Sequence, residues 1–418
     1  MKKRKLKKKP LIFLIGILLL LIIFIALITS CSKEETEINK PREVTFLSDF
    51  TNNSEIEIND DVKETIISFM DLYYLSMKEL TEYNMMHLFS KEALKEAYLT
   101  QTAMNYLVNY RRLQRNDLTL TDCSYNLEIS NVLEENENLI ITVIEESSVK
   151  FAFMDVSSDS YGIVNTFTFK KENDNYELIK FNKNADIYNV FTSNYEIKAE
   201  TSNEKVKSDL LEINEKALNL VSKAVEDEIA YYEAYNSNVA LKGKTCDHTY
   251  DREEAYNYAM LWVGRRNSEY TAFDSYGGNC QNYASQVLAN GGIPMDKIGS
   301  YKWKWYGSGV DETSAAVGRT PSWTGVSEFY NYAQNNVGPG LCAQTDINYS
   351  YAEKGDIMQV GSNGAWAHTI VVVGSVAKDG QLLDILTTSN TTDRKNYPLS
   401  AYNYAGKRLI KIYGWNEE

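Results

Sequence analysis

Hydrophobic and polar positions alternate along this chain in distinct regimes. From Leu11 to Ile28 it is apolar without a break for 18 residues. Residues 32–55 are polar and charged and read as a tether. Over residues 57–118, Ile66, Phe69, Met70, Tyr73 and Met77 recur at helical spacing, as do Met104, Leu107, Val108 and Leu113 with more slack. The period then shortens. Leu127-Ile129, Leu139–Ile144, Val149–Phe153, Thr166–Phe169 and Tyr176–Ile179 are short β-type runs, split by Asn/Glu/Asp/Ser clusters such as Glu134–Asn138. Helices followed by strands predict an α+β unit with an antiparallel sheet. Residues 203–237 return to a helical period, with Leu210, Leu211, Ile213, Leu218, Val221, Val225 and Ile229 on one broad face.

A third regime begins near residue 250. Tyr250–Ala259 reads as a helix with Asp251 as N-cap. Gly277-Gly278 breaks the chain, and Tyr283, Ala284, Val287 and Leu288 then fall on one helical face. Further on, Lys354–Val360 and Ala365–Gly374 read as two strands, with a hairpin turn at Lys378-Asp379-Gly380 before the strand Gln381–Asn390.

With 418 residues the chain exceeds one ordinary core. The expected organisation is α+β throughout: an N-terminal anchor at 1–31, a tether at 32–55, an α+β accessory domain at 56–200, a connecting helix and linker at 201–244, and a C-terminal α+β domain at 245–418. The net charge of −14 excludes nucleic acid as a partner, because phosphate binding needs a basic face.

Seven of the first nine residues are Lys or Arg, and the apolar run ends in Ile28-Thr29-Ser30-Cys31. A basic region, an apolar core and small residues before a cleavage point are the parts of an export signal. The tetrapeptide resembles a bacterial lipobox, which implies lipidation at Cys31. The alternative is an uncleaved transmembrane helix, since 18 residues reach ~27 Å. Either reading places the body of the chain on the extracellular face of the cell membrane.

The candidate chemistry lies in the last third. Cys280 opens a helix, where unpaired N–H groups and the helix dipole favour a thiolate. The same N–H groups can hold the oxyanion formed when sulfur attacks an amide carbonyl. Such a thiolate should react below the pH of a free thiol. Gly278, Asn279 and Gln281 flank it as candidate substrate contacts, with Trp366 beside the candidate base. A thiolate nucleophile needs that base. Only His87, His248 and His368 are available; the first two fall among the apolar residues of the middle region and in the linker, leaving His368 at a strand start. A three-residue hairpin loop at Lys378-Asp379-Gly380 would set Ala377 opposite Gln381 and His368 opposite Asn390, which could then orient the imidazole; Asp384 would lie six residues away. No His/Cys/Asp cluster has zinc spacing, so neither metal nor cofactor is expected. Cys123 reads as a buried thiol. Cys246 and Cys342 could pair in an oxidising exterior or stay free. The segment Trp303–Trp323 could be a substrate rim or a packed loop before a helix at Val326–Gln334.

Tyr250-Asp251-Arg252, Gly277–Gln286, Gly291–Met295, Lys354-Gly355-Asp356, Ala367-His368 and Asn390–Arg394 together resemble the putative amidase domain of exported Gram-positive proteins, over about residues 248–416. That family resembles papain-like cell-wall amidases and peptidases with a Cys/His pair. The resemblance implies a papain-like C-terminal domain and an amide hydrolase acting on cell-wall peptide. The chain departs from the family pattern at Asn279, where Asp is expected, and at Asn390-Thr391, where His-Thr is frequent. The rival expectation is a non-catalytic surface lipoprotein whose domain binds a wall peptide or a protein partner.

Overall fold

The computed structural model describes residues 45–418 apart from 173–174, 194, 238–239, 298–301, 308–317 and 363. The basic run, the apolar segment Leu11–Ile28, Cys31 and the first part of the tether lie outside the described residues. Among the described residues no helix is long and apolar enough to cross a membrane.

The N-terminal half opens with strand β1 (Leu47–Asn52) and helix α1 (Asp60–Glu79). Asn59 caps α1 by accepting the Val62 N–H. The helix buries Ile66, Phe69, Met70, Tyr73 and Met77, the stripe that its spacing predicts. Helix α2 (Leu94–Leu113) buries Met104, Leu107 and Val108, while Leu113 at its end is exposed. Between them, His87 lies in a one-turn 3-10 segment and is exposed, not packed in a helix. Four strands follow: β2 (Leu120–Glu135), β3 (Asn138–Phe151), β4 (Ser158–Glu172) and β5 (Asn175–Asn184), each antiparallel to the last. Asn136 and Glu137, both at positive φ, make the tight turn between β2 and β3. Helix α3 (Asp186–Thr192) and the long helix α4 (Asn203–Asn236) complete this half.

The C-terminal half comprises β6 (His248–Thr249), α5 (Arg252–Trp262), α6 (Cys280–Asn290), the small ribbon of β7 (Trp305–Tyr306) and β8 (Gly318–Arg319), and helices α7 (Pro321–Thr324) and α8 (Val326–Asn335). It ends with β9 (Gly340–Gln344), β10 (Ile357–Ser362), β11 (Ala365–Lys378), β12 (Gln381–Ser389), β13 (Asp393–Pro398) and β14 (Gly406–Asn416). Asp251 caps α5 through the Glu253 and Glu254 N–H groups, as its place predicts. Cys246 and Cys342 are joined as a disulfide.

One sheet runs through both halves, in the order β1-β2-β3-β4-β13-β12-β11-β10-β14-β6, with β5 also on β4 and β9 also on β14. Among the described strands of this sheet, only the β1–β2 pairing is parallel. The seam is β13 on β4, with Asp393 opposite Tyr161, Arg394 opposite Ser160 and Lys395 opposite Asp159. Helix α2 crosses the seam too. The Tyr106 hydroxyl donates to the Asn403 carbonyl at 3.3 Å, and the Tyr110 hydroxyl to that of Ser400 at 3.2 Å. The stretches 56–200 and 245–418 thus share one sheet and one buried apolar cluster, which contains Phe69 and Ile141 as well as Val287 and Ile410.

Candidate active site

Helix α6 begins at Cys280 because the two residues before Asn279 are glycines in conformations that other residues avoid. Gly277 has φ 104° and Gly278 φ 127°. A Cβ on Gly278 would come within 3.3 Å of the Thr391 side chain. The apolar face behind the thiol is complete: Tyr283, Ala284, Val287 and Leu288 are at most 1% exposed. Trp303 and Trp323 pack beneath the same helix. The Trp303 indole donates to Ser285 Oγ at 3.0 Å and that of Trp323 to Asn282 Oδ1 at 2.9 Å. These two rings, both fully buried, belong to the core that supports the helix opened by Cys280, not to an exposed rim.

His368 stands on β11 opposite Val360 of β10 and is buried. The backbone N–H groups of its neighbour Thr369, of Gln281 and of Cys280 itself favour the Cys280 thiolate electrostatically. Strand β11 and the start of α6 thus meet at the thiol. The contact is tied by the Thr369 hydroxyl, which donates to Gln281 Oε1 at 2.9 Å.

Burial decides the protonation states. It pushes the Cys280 thiol up, and the three N–H groups offset only part of that rise. This corrects the expectation of a thiolate favoured by the helix terminus. In the enclosed site desolvation outweighs the dipole. Burial likewise pulls His368 down to about 4, with Asp186 raising it and Arg394 lowering it further. The resting pair is therefore a neutral thiol and a neutral imidazole. His368 Nε2 is buried with no hydrogen-bond partner among the described residues.

The residue that faces the imidazole electrostatically is Asp186, at the start of α3, which the sequence pattern does not single out. Its backbone N–H donates to Thr392 Oγ1 at 3.3 Å, and its carboxylate pairs with buried Arg394 at 2.5 Å. Burial pushes the Asp186 carboxyl up, but Arg394 and His368 bring it below its ordinary value.

The expected His368–Asn390 pairing is corrected. The β11–β12 loop has two residues, Asp379 and Gly380, both at positive φ, and Lys378 pairs directly with Gln381. With that register β12 ends before reaching His368, as a one-residue change of pairing dictates. Asn390 is spent elsewhere: its Oδ1 accepts from Asn279 Nδ2 at 3.0 Å and its Nδ2 donates to the Trp262 carbonyl at 3.3 Å. It props Asn279, the residue before Cys280. Asp384 lies opposite Val376 and accepts from Asn116 Nδ2 at 3.0 Å, in the interior between the halves.

The candidate substrate contacts divide. The side chains of Asn279 and Gln281 are buried and bonded to protein groups; Asn279 Oδ1 accepts the Phe273 N–H and Asn282 Nδ2, and Gln281 Nε2 donates to Ser285 Oγ. Their side chains set the loop. Trp366 is half-buried and lines a cavity of about 160 Å³ with Tyr404, Glu228 and Lys407. His248 is remote from this cluster, stacked on Trp415 and paired with Glu417 at 2.6 Å. Cys123 is a buried free thiol. Among the described residues no three His, Cys, Asp or Glu side chains converge to hold a metal ion.

Residues 249–414 match the family model of the putative amidase domain. The match contains Cys280, His368, Asn390 and Arg394 but not Asp186, which comes from the other half of the sheet. It gives the region a hydrolase character at the level of amide bonds. No curated protein and no solved structure matches the chain.

Proposed function

We propose that this protein is a cysteine-dependent hydrolase of amide bonds, with Cys280 as nucleophile, His368 as base and Asp186 as the charge that supports the imidazolium. The reading is supported by the meeting of strand β11, which carries buried His368, with the helix start that carries Cys280, tied by the Thr369–Gln281 hydrogen bond and lying within the residues that match the amidase-domain model. Neutral His368 takes the thiol proton as sulfur bonds to the carbonyl carbon and the π electrons move to oxygen. Backbone N–H groups at the start of α6 hold that oxyanion. Collapse breaks the C–N bond, and the imidazolium returns its proton to the leaving amine. Water then attacks the thioester, giving a proton to His368, and the acid departs as the thiol reforms. Asp186 favours the imidazolium in both steps.

The substrate proposed is cell-wall peptide, and the location the outer face of the cell membrane, held by a lipid on Cys31 or by the apolar segment before it. The export-type N-terminus and the Cys246–Cys342 disulfide, a bond suited to an oxidising exterior, support this location. Incubating the full chain with purified peptidoglycan and weighing the released fragments tests the reaction. Fragments that differ by the hydrolysis of one amide support it, and unchanged peptidoglycan refutes that substrate.

One observation favours a second reading, a surface module that binds wall peptide without cleaving it. Cys280 is 7% and His368 3% exposed, so both groups are closed off from solvent. Saturable retention of peptide with no change in its mass would select this reading.

A further inference from the structure

Between α1, α2 and the β2–β5 sheet lies a cavity of about 50 Å³. A single water needs only ~10–15 Å³. Its lining is cationic: Arg111 from α2, Lys183 from β5 and Arg394 from β13 face it, with Glu145 of β3 and the rings of Tyr73 and Tyr397. Lys183 is paired with Glu145, and Arg394 with Asp186. That leaves one cation over. Arg111 is 7% exposed, pairs with no carboxylate among the described residues, and its Nη1 is buried without a hydrogen bond. Nη1 of Arg394 is in the same condition. The Phe151 ring, 5.4 Å from Arg111 Cζ, and the C-terminal end of α2 offer this charge partial comfort, but neither satisfies an N–H donor. Buried guanidinium groups are ordinarily paired or hydrogen-bonded, because an uncompensated one is strongly unfavourable.

We propose that this cavity is a binding site for a small oxyanion, of carboxylate or phosphate type, held by the free N–H groups of Arg111 and Arg394. The forked guanidinium matches two oxygens of such a group. Neighbouring Lys183 adds charge, and Glu145, already engaged by Lys183 and by the hydroxyl of Tyr74, sets the limit on anion size and charge. The cavity is lined by neither Cys280 nor His368 and meets the proposed catalytic group only through Arg394, the partner of Asp186.

Thermal unfolding of the full chain in Tris buffer tests this, with sodium phosphate, sodium acetate or sodium chloride added at matched ionic strength. A ligand that binds only the folded state raises the midpoint by mass action. Phosphate or acetate should give a saturable rise beyond that of chloride. A response to phosphate alone assigns a phosphate-type ligand, and a response to acetate alone a carboxylate. Arg111→Met removes an unpaired buried charge, so in plain Tris its midpoint should lie above that of the wild type, and its response to either oxyanion should vanish. Equal midpoints of the wild type in all three salts overturn the proposal without reference to any variant. An undiminished response in Arg111→Met overturns it as well.

Discussion

Arg394 Nη2 lies 2.5 Å from Asp186 Oδ1, both groups buried, and this pair ties the strand at the seam of the sheet to the helix start that faces His368. The chemistry proposed for the residues that match the amidase-domain model thus draws one charge from outside them. Replacing Asp186 with Asn keeps the shape and removes that charge. Turnover should fall ~10–100-fold, as for other partners that orient or support a reactive imidazole. The acid limb of the rate profile should move to lower pH, because Asp186 raises the His368 pKa. The variant also strands Arg394 and should lose roughly 3–5 kcal/mol of stability. Adding Arg394→Met should restore much of the stability but not the turnover. Recovery of turnover in that double variant would reduce Asp186 to a packing role.

The His368 pKa of about 4, against 6.5 for an unperturbed imidazole, makes a stability prediction with a definite sign. Between these values the unfolded chain binds a proton that the folded chain refuses. Folding stability from this group is therefore complete above pH 6.5 and is lost as pH falls toward 4, by about 3 kcal/mol. Asp384, raised to about 6 by burial, acts in the opposite direction over much of the same range. The effect should therefore be read as a difference: unfolding of the wild type and of His368→Gln, compared from pH 7 to pH 4. The variant should be the less acid-sensitive of the two. Parallel curves would mean that His368 titrates normally in the folded state.

The raised thiol of Cys280 predicts slow alkylation. With excess iodoacetamide at pH 7, the peptide carrying Cys280 should be modified more slowly than a model thiol, and its rate should still be rising at pH 9. Peptide mass spectrometry over a time course reads this directly. Fast labelling at pH 6 would restore the thiolate that the helix start alone suggests.

The elements that carry the proposed nucleophile and base are legible in the sequence because their signatures are local. Paired glycines, a polar step and a renewed helical period mark α6, and β11 announces itself by a run of branched residues after His368. The supporting charge was not legible. Asp186 follows Ala185 without capping chemistry or motif, and it reaches His368 only because β4 pairs with β13, a contact that no periodicity encodes. The misplaced Asn390 has a plainer cause. Asp-Gly favours the two-residue turn seen at Asp379-Gly380, and one residue of register decides which side chain meets the imidazole. The element pattern of the accessory stretch was legible for the same local reason as α6, but the continuity of its sheet with the amidase region rests on long-range pairing.

That continuity bears on any attempt to isolate the C-terminal half. Residues 245–418 alone would expose the β13 edge, leave Arg394 without Asp186, and leave Asp384 without Asn116. The fragment should unfold at a markedly lower denaturant concentration than a chain starting at residue 45, and should aggregate more readily through its open edge. An equal midpoint for the two would show that the seam contributes little.

Whether turnover passes through the Cys280 sulfur is settled by comparing wild type and Cys280→Ala, both as full chains, on purified peptidoglycan, counting newly released amino groups against time and weighing the products. Wild type should release amines at a steady rate, and Cys280→Ala should release none above the no-enzyme control while unfolding at a midpoint close to that of the wild type. Release of the same fragments at a comparable rate by Cys280→Ala would contradict the cysteine mechanism.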